Sequence, residues 1–305
     1  MNCNNSTYLI SIVGPTGIGK TALSIALAQH YKCEIISADS RQFFKEMHIG
    51  TAAPSIKELA KAKHHFIHHK SISEDYSVGV FEKDAIDCLE NLYKSHNTVI
   101  IVGGSGLYID AVINGLDFFP KVDSSIRTNL NNEIKLNGIA ALQNQLKELD
   151  LESYNSIAID NPHRLIRALE ICIGTKTPYS YFLNKEKTKR NFKPISIGLM
   201  ASREVIYNRI NLRVDKMMQD GLLEEAENLK AYEHLNALNT VGYKELFKYF
   251  DNEWSLEFAI EEIKKNSRRF AKRQLTWFKK NSNTIWFDYT TSTNSIIEII
   301  DKNMN

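Results

Sequence analysis

Long apolar runs, paired cysteines and a large net charge are all missing from this chain of 305 residues. No apolar stretch approaches the ~18 residues needed to span a membrane. The polar start, Met1 to Thr7, lacks the basic and apolar segments of a secretion signal. Cys3, Cys33, Cys88 and Cys172 are scattered, with no CxxC pair, which disfavours a zinc site or a disulfide framework and fits a reducing compartment. The expectation is a soluble, cytoplasmic protein. A net charge of only +2 means that any affinity for nucleic acid must come from local patches. Internal repeats and low-complexity segments are also absent. What remains, 43% hydrophobic and 24% charged residues, suits one large globular domain or two modest ones.

The most informative segment present is Gly14-Pro15-Thr16-Gly17-Ile18-Gly19-Lys20-Thr21, a complete phosphate-binding loop. It follows an apolar run, Tyr8 to Val13, and leads into a helical run, Thr21 to Tyr31, the context that separates such a loop from an ordinary Gly-rich turn. The glycines turn backbone N–H groups around an anion. Lys20 adds charge, the Thr21 hydroxyl can hold Mg2+, and the helix N-terminus contributes a partial positive charge. The chain is expected to bind a di- or triphosphate.

Strand and helix signals alternate through the first third. Glu34 to Ala38 reads as a short strand, Val78 to Ser95 as an amphipathic helix with Val80, Phe81, Ala85, Leu89 and Leu92 near helical spacing, and Thr98 to Val102 as a buried parallel strand. The pattern predicts an α/β fold with a P-loop parallel-sheet core. Between Pro120 and Pro194 the signals turn mostly helical. The clearest helix has Asn161 at its N-cap, Pro162 at its first position and Gly174 just past its end. Ile195 to Met200 reads as a returning strand and Thr284 to Phe287 as a last one. The expected organisation is a core formed by 1–119 and 195–305, with an inserted helical domain at 120–194.

In open α/β sheets, ligands lie beyond the carboxyl ends of the strands. Asp39, in the run Ser37-Ala38-Asp39-Ser40-Arg41-Gln42, is therefore expected near the P-loop, although Asp39 and Ser40 could equally cap a turn. The next strand ends in Gly103-Gly104-Ser105-Gly106, with no Walker-B carboxylate, and the guanine-reading Asn-Lys-x-Asp motif is absent. These absences count against a motor or switch NTPase. In the helix Ser202 to Gly221, Arg209, Arg213 and Lys216 share a face, and periodicity alone favours a solvated stripe paired with carboxylates such as Asp215 or Glu204. Lys264 to Lys280 holds eight Lys or Arg in seventeen residues and no acid. It reads as a helix docked through Ile260, Ile263, Phe270 and Trp277 that offers Lys265, Arg268, Arg269, Lys272 and Arg273 to RNA. The run His64-His65-Phe66-Ile67-His68-His69 lacks matching carboxylates or cysteines at ligand spacing and reads as packing rather than a metal site.

Together, GPTGIGKT (14–21), ADSRQ (38–42), IGTAAP (49–54), GGSGLY (103–108), NPHRLIRALE (161–170), RVDKMMQDGL (213–222), VGYKE (241–245) and AKRQLTWF (271–278) resemble the tRNA dimethylallyltransferase family in its bacterial form. The resemblance implies transfer of a dimethylallyl group from dimethylallyl diphosphate to the N6 amine of the adenosine beside the anticodon, with the P-loop holding a leaving diphosphate and Mg2+ rather than ATP. It implies Asp39 as general base, Ser105 in the place of the usual Thr, and Arg213 against the diphosphate. It further implies that Asp39, Ser40, Arg41, Gln42 and Ser105 meet the tRNA, as do Arg127, His163, Arg164, Leu165, Ile166 and Arg167 of the inserted domain and Arg269, Lys272 and Arg273 of the basic helix. A monomer suffices. Ser105, Ser267 and His68 depart from the family pattern. An adenylate isopentenyltransferase acting on free AMP, ADP or ATP, a P-loop kinase and a non-catalytic RNA binder remain as alternatives.

Overall fold

The β-branched runs of the sequence become the strands of one six-stranded sheet in the computed structural model, which describes residues 6–183 and 189–304. Cys3 and most of the polar N-terminal segment lie outside the described residues. The strands are β1 (Tyr8–Val13), β2 (Ile35–Ser37), β3 (His64–His65), β4 (Thr98–Val102), β5 (Lys193–Met200) and β6 (Thr284–Asp288). They run parallel in the order β3-β2-β4-β1-β5-β6. β1 is central, with Ile10 opposite Ile100 on one side and Ile195 on the other. Alternation along β1 sends Ile10 and Ile12 into one apolar cluster and Leu9 and Val13 into another, so both faces of the sheet are covered.

Because every strand points the same way, the segments after β1, β2, β4 and β5 all emerge at one edge of the sheet. The P-loop follows β1, Asp39 follows β2, Gly103-Gly104-Ser105 follows β4, and the helix Arg203–Gln219 follows β5. A third cluster, built on Met47, Val214, Leu222, Tyr243, Leu246 and Ile263, packs the later helices.

The chain divides into two compact units, one comprising 1–114 with 190–305 and the other 115–189. The second consists of the helices Ser124–Asn137, Ile139–Leu149, Leu151–Ser156 and Pro162–Thr175, with a short 3-10 turn at Tyr179–Phe182. Asp123, Asp150 and Asn161 cap three of these helices by accepting from Ser125, Ser153 and His163 N–H groups. Leu130, Leu142, Leu146, Leu165 and Leu169 form its core.

Three local expectations need correction. Gly174 lies inside the Pro162–Thr175 helix rather than past it, and Lys176 in the left-handed region ends the helix. Glycine is needed there because a Cβ would come within 2.4 Å of Val122 Cγ1. Val80 is exposed rather than part of the inward stripe of its helix. β3 occupies part of the histidine run and was not anticipated, since a two-residue strand leaves no periodicity to read.

Candidate active site

β1 is wholly buried and ends at Gly14, whose φ of +141° and approach to Leu199 O, 2.6 Å from a would-be Cβ, admit only glycine. Gly17 and Gly19 also have positive φ, and the helix Lys20–Tyr31 starts immediately after. The Lys20 ammonium folds back over the loop and donates to Gly14 O and Pro15 O, both at 2.9 Å. Burial pushes its pKa down to about 8; Arg213 pushes the same way and Asp39 opposes. Two further side chains hold the loop. Arg209 Nε donates to Gly17 O at 2.7 Å, and Gln274 Oε1 accepts from the Thr16 N–H at 2.9 Å.

Asp39 leaves the end of β2 beside the end of β4. A Cβ on Gly103 would lie 2.3 Å from Ala38 O, and one on Gly104 would lie 2.4 Å from Gln274 Nε2 and 3.6 Å from Asp39 Oδ2, so both glycines are there for close approach. Asp39 Oδ1 accepts from the Arg41 N–H at 3.2 Å, the turn bond that the sequence allowed. Ser105 Oγ accepts from the Ser40 N–H and donates to Ser40 Oγ. The polar ends of Arg41 and Gln42 turn to backbone carbonyls: Arg41 donates to Asn236 O and Ala237 O, and Gln42 donates to Thr51 O and Ala52 O.

Arg213 departs from the solvated-stripe reading. Its neighbour Lys216 does pair with Asp220, and Asp215 pairs with Lys264. Arg213 has no carboxylate within ion-pair distance among the described residues; it faces inward, and burial lowers its pKa against the pull of Asp39. Periodicity put three cations on one face but could not say which of them burial would claim.

Two cavities meet here. One, about 900 Å³, is lined by the P-loop residues Thr16 to Thr21 and by Ile49, Pro54, Ile67 and Leu212. The other, about 480 Å³, is lined by Ser40, Ser105, Phe270, Arg273 and Trp277. Lys20, Asp39 and Arg213 belong to the walls of both. Among the residues common to both walls, Asp39 is the one carboxylate and Lys20 and Arg213 are the cations; most of the P-loop lines the larger cavity, and the Ser105 hydroxyl and the Phe270 and Trp277 rings line the smaller. Such a junction can hold a diphosphate while accepting a proton from a second reactant. The Thr21 hydroxyl in the larger cavity is a hard oxygen donor, of the kind that suits a divalent cation such as Mg2+. No group of three or more His, Cys, Asp or Glu forms an independent metal site among the described residues.

The helix Leu256–Phe278 carries the basic run. Arg269, Lys272 and Arg273 are exposed, but Lys265 pairs with Glu262, and Arg268 donates to Asn211 and stacks on Tyr207. Phe270 is not part of the inward row. It is 38% exposed and lines the smaller cavity, while Ala271, Gln274 and Phe278 face inward. Gln274 was missed in the sequence; its signal is a lone polar residue in an inward helical row. Glu225 was missed as well. It accepts from three successive N–H groups, those of His48, Ile49 and Gly50, and from the Tyr243 hydroxyl, and so fixes the Ile49–Pro54 wall of the larger cavity.

In the helical unit, His163 and Arg164 are exposed at the start of the Pro162–Thr175 helix. Leu165 and Ile166, named with them as RNA-facing, instead point into the unit's core, because helical spacing turns them away from that surface. Arg127 and Arg167 converge on the buried Glu170: Arg127 bonds it twice, at 2.9 and 2.6 Å, and Arg167 once, at 2.7 Å. Burial works against the Glu170 charge, but the two guanidiniums hold its pKa below the ordinary value.

A family model described as IPP transferase matches residues 42–281. A tRNA dimethylallyltransferase of Flavobacterium johnsoniae is 60% identical over 303 residues, covering 97% of this chain and 98% of its own. One from Christiangramia forsetii is 60% identical over 300 residues, covering 98% and 99%. Among solved structures, the full-length tRNA isopentenylpyrophosphate transferase of Bacillus halodurans superposes with a TM-score of 0.72 at 36% identity, covering 97% of this chain and 96% of that one. A eukaryotic dimethylallyltransferase acting on tRNA gives 0.83 at 25% identity, covering 98% and 80%.

Proposed function

The chain belongs to the IPP transferase family, and from that premise we infer that it transfers a dimethylallyl group from dimethylallyl diphosphate to the N6 amine of the adenosine 3′ to the anticodon in tRNA, releasing diphosphate. The observation that carries this reading is the junction at which Lys20, Asp39 and Arg213 wall both cavities.

The adenine amine is a poor nucleophile because its lone pair is delocalised into the ring. Asp39 acts by accepting the amine proton as the new carbon–nitrogen bond forms, so that the amine becomes competent only in the transition state. Ser105, bonded to Ser40, orients the amine beside it. On the other side, breaking the carbon–oxygen bond leaves allylic cation character on carbon and gathers negative charge on diphosphate. Lys20, Arg213 and the loop N–H groups are aimed at that charge, and such fixed electrostatics are usually the largest contribution to catalysis. Mg2+ held through the Thr21 hydroxyl would supply further charge to the leaving group. The apolar stretch Ile49, Pro54, Ile67 and Leu212 in the larger cavity suits a five-carbon tail.

The acceptor base must leave the anticodon stack to reach Asp39, at a cost of a few kcal/mol. His163, Arg164, Arg127 and Arg167 of the helical unit, and Arg269, Lys272 and Arg273 of the basic helix, hold RNA phosphates. An RNA acceptor of this kind supports a cytoplasmic location. No helix among the described residues is long and apolar enough to cross a membrane.

Labelled dimethylallyl diphosphate, Mg2+ and either unmodified tRNA or AMP, followed by mass analysis of nucleosides, tests the assignment. The five-carbon mass increment is expected on tRNA adenosine. Its appearance on AMP instead, or on neither acceptor, would overturn it.

A further inference from the structure

The basic helix carries one inward polar residue that does more than pack. Gln274 is buried, and its amide is engaged at both ends: Oε1 accepts from the Thr16 N–H of the P-loop and Nε2 donates to Gly104 O after β4, each at 2.9 Å. A Cβ on Gly104 would collide with this amide at 2.4 Å, so the backbone has come as close to Gln274 as glycine permits. One turn on, Trp277 Nε1 donates to Asp110 Oδ2 at 2.7 Å, and a Cβ on Gly106 would meet the indole at 2.3 Å. The same helix ties itself to the helix bearing Arg213 through Arg268–Asn211 at 2.7 Å and Lys264–Asp215 at 2.8 Å. On its outer side, Arg269, Lys272 and Arg273 are exposed and not paired with carboxylates among the described residues. One continuous helix, with a basic face outside and a doubly bonded amide inside, joins an RNA surface to a phosphate loop.

We propose that Gln274 is a positioning residue that couples RNA docking on the Leu256–Phe278 helix to the diphosphate affinity of the P-loop. This rests on the function proposed above. The physical argument is that the Thr16 peptide takes its orientation from the Gln274 carbonyl, and the Gln274 amide plane is fixed in turn by Gly104. When RNA phosphates pin the outer face of the helix, the freedom of Gln274, and with it that of the loop N–H groups, is reduced before diphosphate arrives. The second ligand then pays less to order the loop and binds more tightly. Linkage makes the effect reciprocal: diphosphate tightens RNA by the same factor.

The test is a four-sided binding cycle on the full chain. The dissociation constant of inorganic diphosphate with Mg2+ is measured with and without a saturating anticodon stem-loop RNA, in the wild type, Gln274→Met and Gln274→Glu. Gln274→Met keeps the volume and loses both hydrogen bonds; Gln274→Glu keeps the acceptor for Thr16 N–H and loses the donor to Gly104 O. In the wild type the RNA is expected to tighten diphosphate by about fivefold or more, a common size for coupling between two sites. In Gln274→Met the ratio should fall to within twofold of one, and in Gln274→Glu it should be smaller than in the wild type. A purely structural role for Gln274 would weaken both ligands and leave the ratio unchanged, which overturns the proposal. A wild-type ratio of one does the same. Should Gln274→Met fail to fold, an unaltered ratio in Gln274→Glu is the overturning result. A wild type that binds both ligands without coupling sinks this inference alone; one that binds neither sinks the proposed function along with it.

Discussion

Ser105 Oγ donates to Ser40 Oγ and accepts from the Ser40 N–H, both at 3.1 Å, so the hydroxyl after the β4 glycines is tied to the residue that follows Asp39. The bond locks a short side chain that lacks the methyl group of threonine, and with it the rotamer preference that β-branching brings. Ser105→Ala should lower kcat/KM by roughly fivefold or more, the worth of about one hydrogen bond of ~1 kcal/mol. Ser105→Thr should stay within about twofold of the wild type, because it keeps the hydroxyl. Steady-state assays with tRNA decide this, and an unimpaired alanine variant would remove the hydroxyl from the mechanism.

Lys20 sets a pH dependence. Burial and Arg213 hold its pKa down at about 8 against an ordinary 10.5. Ligand-free protein therefore loses this proton as the pH rises through about 8, and diphosphate, which needs the ammonium, should bind progressively more weakly above that point. Calorimetric titration from about pH 7 to 9.5, with Lys20→Met as the reference, should show the loss in the wild type alone. The same shift acts on folding with the opposite sense. Between about 8 and 10.5 the unfolded chain holds more protons than the folded one, so the Lys20 contribution makes the ligand-free fold more stable as pH rises across that window.

Glu170 offers a test of sign. Removing a negative charge from an RNA-binding surface would ordinarily strengthen binding. Here Glu170 holds Arg127 and Arg167 in place, with Arg167 also over the Phe119 ring at 5.2 Å. Glu170→Gln should therefore weaken stem-loop binding. Tighter binding in a filter or fluorescence assay would show that Glu170 only subtracts from the positive field.

Arg269 and Arg273 should carry salt-dependent RNA affinity. Reversing both to Glu is expected to weaken binding and to flatten the slope of log affinity against log salt by roughly one to two units. An unaltered slope would take these residues out of the RNA interface.

The sheet edge was legible because its parts are contiguous. The apolar run Tyr8–Val13, the eight-residue loop after it and the β-branched Thr98–Val102 each declare a local structure, and a parallel sheet brings their ends together. Long-range partners were not legible in this way. Nothing local tells that Gln274 reaches Thr16, 258 positions away, or that Glu225 collects the amides of 48–50. Periodicity also failed where burial is decided by a neighbouring cavity. It turned Phe270 inward when that ring lines a cavity and left Arg213 in solvent when it faces Asp39; the family resemblance, which carries no information on burial, set Leu165 and Ile166 against RNA when they fill a core.

The central claim is that Asp39, at the junction of the two cavities, takes the proton from the acceptor amine. The most direct measurement is the single-turnover rate of prenyl transfer in Asp39→Asn, with tRNA and dimethylallyl diphosphate both prebound. The account predicts that tRNA is held nearly as before while the rate falls by about 10²–10⁴, the usual worth of a general base. A variant that binds tRNA and turns over at the wild-type rate would contradict it.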